Sequence, residues 1–96
     1  MIRHTVVFSL RHTAGSVEER KFLDDALVLE TIPSVRNFER LRQVSAKNGY
    51  RFGFSMEFDD QAGYDAYNVH PEHVRFVEER WKAEVSDFLE IDYANL

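Results

Sequence analysis

The chain contains no cysteine, so disulfides, thiolate zinc sites, iron–sulfur clusters and cysteine nucleophiles are excluded at the outset. It has only two prolines, Pro33 and Pro71, and four scattered glycines. No phosphate-cradling glycine loop, Walker lysine or nucleophile elbow can be assembled from them. No apolar run approaches the roughly 18 residues of a membrane span, and no signal-peptide pattern opens the chain. Positive charge is also scarce: 12 Lys and Arg face 17 Asp and Glu, for a net charge of −5. Binding to nucleic acid or to an anionic membrane needs a basic face, so neither is an expected partner. The expectation is a soluble, cytoplasmic protein.

Apolar material is plentiful. The 96 residues are 44% hydrophobic and 14% aromatic, enough for one core in a single domain spanning residues 1–96. A domain this small hides only about 60–65% of its unfolded surface, which leaves room for help from a partner subunit.

Ile2 to Leu10 alternates, with Ile2, His4, Val6, Phe8 and Leu10 on one face, and predicts a strand. Ser16-Val-Glu-Glu19 has the spacing of a capping box, in which Ser16 accepts from the Glu19 N–H and the Glu19 carboxylate reaches back to the Ser16 N–H. The helix it opens carries Phe22, Leu23, Ala26, Leu27 and Glu30 at helical spacing and closes at Ile32-Pro33. Val35 to Val44 predicts a second strand with neither face cleanly apolar, and Lys47-Asn48-Gly49 a turn. Tyr50 to Phe58 predicts a third strand with Tyr50, Phe52, Phe54, Met56 and Phe58 on one face. Asp59 or Asp60 caps a short helix through Tyr67, and Pro71 starts another with the stripe Val74, Val77, Trp81 and Val85. Phe88 to Tyr93 closes as a strand.

The order β-α-β-β-α(α)-β predicts an α+β, ferredoxin-like protomer: a four-stranded antiparallel sheet with helices on one face. The last strand has apolar residues on both sides, and Val7 adds to the uncovered face of the first. Such a sheet is completed by a second copy, so a homodimer is expected.

The groups able to do chemistry are the histidines. His12 lies in a charged turn and reads as solvated. His70-Pro-Glu-His73 places His73 in a first helical turn, where the helix dipole disfavours imidazolium and leaves a neutral ring able to act as general base. Tyr67 supplies a phenol nearby. His4 shares its face with Val6 and Phe8, and a histidine there needs a partner or a ligand. Each has a plainer reading: His70 as a helix cap, His73 as a satisfied structural histidine, His4 as a core residue with one internal hydrogen bond. His70 and His73 give a metal only two ligands, so no metal site is expected.

The opening Met1-Ile-Arg-His4-Thr-Val-Val-Phe8, the Ile32-Pro33-Ser34-Val35 turn, Gly49-Tyr50, the block Tyr67-Asn-Val-His70-Pro-Glu-His73-Val-Arg-Phe76 and the closing Leu89-Glu-Ile-Asp92-Tyr93 resemble the stress-responsive A/B-barrel (Dabb) family. The resemblance implies two ferredoxin-like protomers with their sheets face to face in a dimeric α/β barrel, helices outside. Many members have no assigned reaction, and some are stable, stress-induced oligomers. One plant member closes a linear polyketide by aldol condensation without a cofactor; its acid–base pair matches Tyr67 and His73, and its pocket histidine matches His4. Phe52 and Val85 stand where that cyclase has a histidine and a tryptophan, which leaves the substrate open.

Two classes of function compete. In the first, a pocket walled by His4, Val6, Phe8, Phe22, Leu23, Phe52 and Phe54 binds a small, apolar carbonyl compound. His73 then takes a proton alpha to the carbonyl and Tyr67 hydrogen-bonds the enolate oxygen, in a cyclisation or isomerisation with no cofactor. A cofactor-free monooxygenase is a variant that rests on fold analogy. In the second, the protein is a stable, non-catalytic dimer whose pocket is filled by Phe52, Phe54 and Trp81. Cavity volume beside His73 separates the two.

Overall fold

The alternation at the start of the chain becomes β1 (Ile2–Leu10) in a computed structural model describing residues 1–96. His4, Val6, Phe8 and Leu10 are buried on one face, while Thr5, Val7 and Ser9 are half-exposed on the other. Ser16 caps α1 (Val17–Asp25), its Oγ accepting from the Glu19 N–H at 3.2 Å. The reciprocal bond is displaced by one residue. Glu19 Oε1 takes the N–H of Gly15 at 3.0 Å, because the Ser16 N–H already donates to the Thr13 carbonyl.

The expected single helix to Ile32 tightens instead into a 3₁₀ helix over Ala26–Thr31. At three residues per turn, Ala26, Leu29 and Ile32 stack on one side, and all three are buried. Leu29 therefore takes the core place that α-helical spacing assigned to Leu27 and Glu30, both of which are exposed.

The second strand, β2 (Arg36–Arg42), is shorter than expected and holds a bulge. Asn37 has φ +52°, and the pairing with the next strand shifts between Arg36 and Glu39. Those residues differ in parity yet oppose Glu57 and Ser55 on one sheet face. β2 is also an edge strand in which only Phe38 is half-buried, which is why neither face of the sequence reads as apolar. The third strand, β3 (Phe52–Phe58), starts two residues later than Tyr50 and buries Phe52, Phe54, Met56 and Phe58 opposite Phe8, Val6, His4 and Ile2 of β1.

Asp60 caps α2 (Gln61–Val69) through the Gly63 N–H at 2.9 Å. His70 ends α2 and caps α3 (Pro71–Phe76), its Nδ1 accepting from the Glu72 N–H at 3.1 Å. A π-helical turn, Val77–Trp81, and a last α-helical turn, α4 (Lys82–Glu84), follow. The expected stripe needs correction here. Val74 is 45% exposed, and Phe76 takes the buried place, 5.3 Å from the Phe22 ring. Val85 is buried, but as the first residue of β4 (Val85–Ala94), three residues ahead of the expected start. The wide π turn rotates the later side chains away from straight α-helical spacing, and the chain has left the helix by Val85. His12 is corrected too: it is half-buried, and its Nε2 lies 2.7 Å from Glu84 Oε1.

The antiparallel sheet has the order β2-β3-β1-β4. Phe8 of β1 meets both helical segments, with ring centroids 5.9 Å from Phe22 and 5.0 Å from Trp81, so the helices share one face of the sheet. This is the ferredoxin-like α+β protomer. On β4, Phe88, Glu90 and Asp92 oppose Phe8, Val6 and His4 and share their helix-covered face. Leu89, Ile91 and Tyr93 lie on the uncovered one. No helix is long and apolar enough to cross a membrane.

Candidate active site

Between β1, β3 and β4 below and α2 to α4 above lies a cavity of about 470 Å³. Its walls are mainly apolar, including Val6, Phe54, Met56, Phe76 and Trp81, and its polar groups come from α2, α3, α4, β1 and β4. The α2–His70–α3 junction supplies two of them. With Pro71 opening α3, His73 folds back so that its Nδ1 lies 3.1 Å from the Asn68 carbonyl oxygen of α2. A carbonyl only accepts, so the ring proton sits on Nδ1, and the neutral ring carries its lone pair on Nε2. Burial lowers the His73 pKa below 6.5, against a raising contribution from the Asn68 bond, so the ring is neutral at neutral pH.

Tyr67 is 3% exposed and lies with its ring centroid 4.2 Å from the His73 imidazole. No protein group hydrogen-bonds its hydroxyl, and that oxygen is open to the cavity it lines. Burial first, then the neighbouring Tyr64 and Glu90, push the phenol above the usual range, so it remains a donor.

Opposite them stands His4. Its Nδ1 is 2.6 Å from Asp92 Oδ1, and the Tyr64 hydroxyl donates to Asp92 Oδ2 at 2.8 Å while lying 2.9 Å from the same His4 nitrogen. One carboxylate thus receives both donors, which fixes the His4 tautomer and leaves Nε2 without a protein partner at the cavity wall. Tyr64 is held in turn by stacking on Phe58, with centroids 4.9 Å apart and planes at 7°. Burial and the Asp92 bond raise its pKa as well.

Of the residues expected to form the site, His73, Tyr67, His4, Val6 and Phe54 line one cavity. Phe8, Phe22, Leu23 and Phe52 do not. Phe8 and Phe22 are fully buried against each other, and Phe52 packs beside Phe8 beneath the Arg42 and Arg51 guanidinium groups. The β1–β3 register carries Phe8 and Phe52 to the α1 end of the sheet, whereas the cavity opens on the β1–β4 side. Leu23, on α1, is half-buried against that same core. No cluster of three His, Asp or Glu side chains is arranged to hold a metal ion.

The family model of the stress-responsive A/B barrel domain (Dabb) matches residues 2–95. The chain belongs to the Dabb family. A Dabb protein of ferredoxin-like fold from Mesorhizobium loti is 59% identical, superposes with a TM-score of 0.98, and matches over 99% of this chain and 96% of its own. Two further solved structures share the fold at 22% identity. One is At3g17210 from Arabidopsis thaliana, with a TM-score of 0.84 over 100% of this chain and 96% of its own. The other is a dimeric ferredoxin-like protein of unknown function from Thermobifida fusca, with a TM-score of 0.81 over 98% and 90%. Nothing among curated proteins matches the chain.

Sequence reasoning missed several residues of the cavity and of the network behind it, chiefly Asp92, Tyr64, Asn68 and Glu90. Asp92 and Glu90 share strand parity with Phe88, and that parity is visible in the sequence. Which parity looks toward the helices is not, because the opposite set, Leu89, Ile91 and Tyr93, is the more apolar.

Proposed function

We propose that this Dabb domain binds a small, largely apolar carbonyl compound in the cavity and performs acid–base chemistry on it without a cofactor. The observation that carries the reading is a cavity of about 470 Å³ into which neutral His73 and the unpartnered Tyr67 hydroxyl both open. Volumes above roughly 300 Å³ are those of ligand sites, and side chains filling the space would have left far less. Phe54 and Trp81 form walls here, not a plug.

In the proposed reaction His73 Nε2 takes a proton from the carbon alpha to the carbonyl. The C–H electron pair becomes the enolate double bond, and the negative charge gathers on oxygen. Tyr67 donates a hydrogen bond to that oxygen, a contact that strengthens as charge develops. The enolate then either attacks a second carbonyl carbon of the same molecule, whose π pair moves to its oxygen and takes the proton from the imidazolium as the ring closes, or, where it is a conjugated dienolate, takes that proton at its γ carbon, which is an isomerisation. The Asn68 carbonyl holds the ring orientation throughout and favours the imidazolium once formed.

The domain works as a homodimer in this reading. Leu41, Leu89, Ile91 and Tyr93 are between 41% and 53% exposed, with Leu41, Leu89 and Ile91 grouped around Val7 and Gly53 on the uncovered sheet face. A second copy laid against that face would remove the patch from water. The dimeric state of the T. fusca fold relative supports a dimer as such.

A thermal-shift screen of apolar ketones and β-dicarbonyl compounds tests the site. A compound at a hundredfold excess over its Kd stabilises by about 2.7 kcal/mol. Incubated in D₂O, a hit is expected to gain deuterium at its alpha carbon with the native protein, slowly with Tyr67→Phe and not at all with His73→Ala. Equal exchange by all three would refute the assignment.

A further inference from the structure

Glu90 is the one carboxylate among the residues that line the cavity, and nothing above employs it. It sits on the helix-covered face of β4, opposite Val6 and two residues from Asp92, and so roughly 7 Å along the strand from the His4–Asp92–Tyr64 network. Its side chain lines the cavity wall, is exposed to solvent, and has no hydrogen-bond or ion-pair partner in the protein. The other charges nearby do not balance it. Lys82, also in the wall, donates to Glu78 Oε1 at 2.7 Å, and Asp92 is held by His4 and Tyr64. His73 is neutral, so the only screening of the carboxylate comes from the water that reaches it at the exposed side of the cavity. The carboxylate is also felt by Tyr64, Tyr67 and His73, so its field reaches the reacting groups. The solvent-reached wall of the cavity therefore presents a negative charge with no counter-ion in the protein, together with an unused acceptor.

We infer that Glu90 is a specificity determinant: it admits neutral compounds that offer a hydroxyl or amine to its carboxylate and rejects compounds bearing a carboxylate, sulfonate or phosphate. Resting on the reading of the cavity as a ligand site, this narrows the substrate to an uncharged or cationic carbonyl compound with a hydrogen-bond donor remote from the reacting carbon. Free acids and phosphate esters are excluded by the charge and not by size. Loss of the charge at residue 90 relaxes that exclusion, while His73 and Tyr67 stay in place on α2 and α3.

The test uses two fluorescent dyes with one scaffold, neutral N-phenyl-1-naphthylamine and its sulfonated anion 1-anilino-8-naphthalenesulfonate. They are titrated into the native protein, Glu90→Gln and Val77→Trp, the last placing a bulky ring in the cavity from its half-buried wall position. The neutral dye is expected to bind the native protein at least tenfold more tightly than the anion, and Glu90→Gln to narrow that ratio at least threefold. Both dyes are expected to lose affinity for Val77→Trp. Circular dichroism of each variant verifies folding, and Glu90→Leu replaces Glu90→Gln if the latter is unfolded. An anion that binds the native protein as well as the neutral dye, or a ratio unmoved by Glu90→Gln, overturns the role of Glu90 and leaves the cavity standing. Failure of both dyes to bind, or binding indifferent to Val77→Trp, removes the ligand cavity and the inference with it.

Discussion

Replacing Asp92 by alanine isolates the contribution of the network behind His4. The substitution removes two charge-assisted hydrogen bonds, from His4 Nδ1 at 2.6 Å and from the Tyr64 hydroxyl at 2.8 Å. A bond of this kind contributes about 1.5–3 kcal/mol when shielded. The Asp92 side chain is 41% exposed, so water competes for it and the lower end applies. The Tyr64 oxygen, 2.9 Å from His4 Nδ1, remains to receive the orphaned donor, which limits the damage further. The expected loss is therefore about 2 kcal/mol, and not the 4 or more that two fully buried bonds would suggest. For a domain of this size that lowers Tm by roughly 8–16 °C. Urea unfolding at one fixed protein concentration measures it, since the stability of the proposed dimer depends on concentration. A double-mutant cycle with Tyr64→Phe should show coupling, because both changes dismantle one network. A loss under about 0.5 kcal/mol with no coupling would mean that the network orders His4 without stabilising the fold, and the argument from burial would fail.

Other outcomes follow from the same geometry. Phe54→Ala should cost about 3 kcal/mol in urea unfolding, the low end for a buried Phe, because Phe54 packs on Phe8 and Phe38 but already faces the cavity on one side. A cost below about 1 kcal/mol would contradict its core placement. His73 should titrate below 6.5 by NMR. With its folded pKa under its unfolded one, its contribution to stability is complete above about pH 6.5 and is lost as pH falls through the folded pKa. A titration above 6.5 would remove the neutral base. Ile91→Arg, on the uncovered face, should yield a folded monomer by sedimentation; an undisturbed dimer would place the interface elsewhere.

Much of the fold was legible because periodicity is a local property. The alternation of β1 and β3, the Ser16 and Asp60 caps and the His70-Pro71 junction each need only neighbours within a few residues, and all appear in the structure. The misreadings occur where the backbone leaves ideal geometry: the 3₁₀ stretch that buries Leu29 instead of Leu27, the bulge at Asn37, and the π turn that ends with Val85 in a strand. No side-chain pattern announces such a change of pitch.

The site divides along the same line. Sequence by itself determined that His73 stands in a first helical turn after a proline and that Tyr67 sits on the helix before it. It also determined that His4 shares a strand face with Val6 and Phe8. Only the tertiary structure decided that β4 turns its more polar side inward, bringing Asp92 to His4 across 88 positions and Glu90 to the wall of the cavity. That choice follows from strand pairing. β4 joins β1 in one register, the register assigns Phe88, Glu90 and Asp92 to the helix side, and the apolar Leu89, Ile91 and Tyr93 are left for a surface that one chain does not possess.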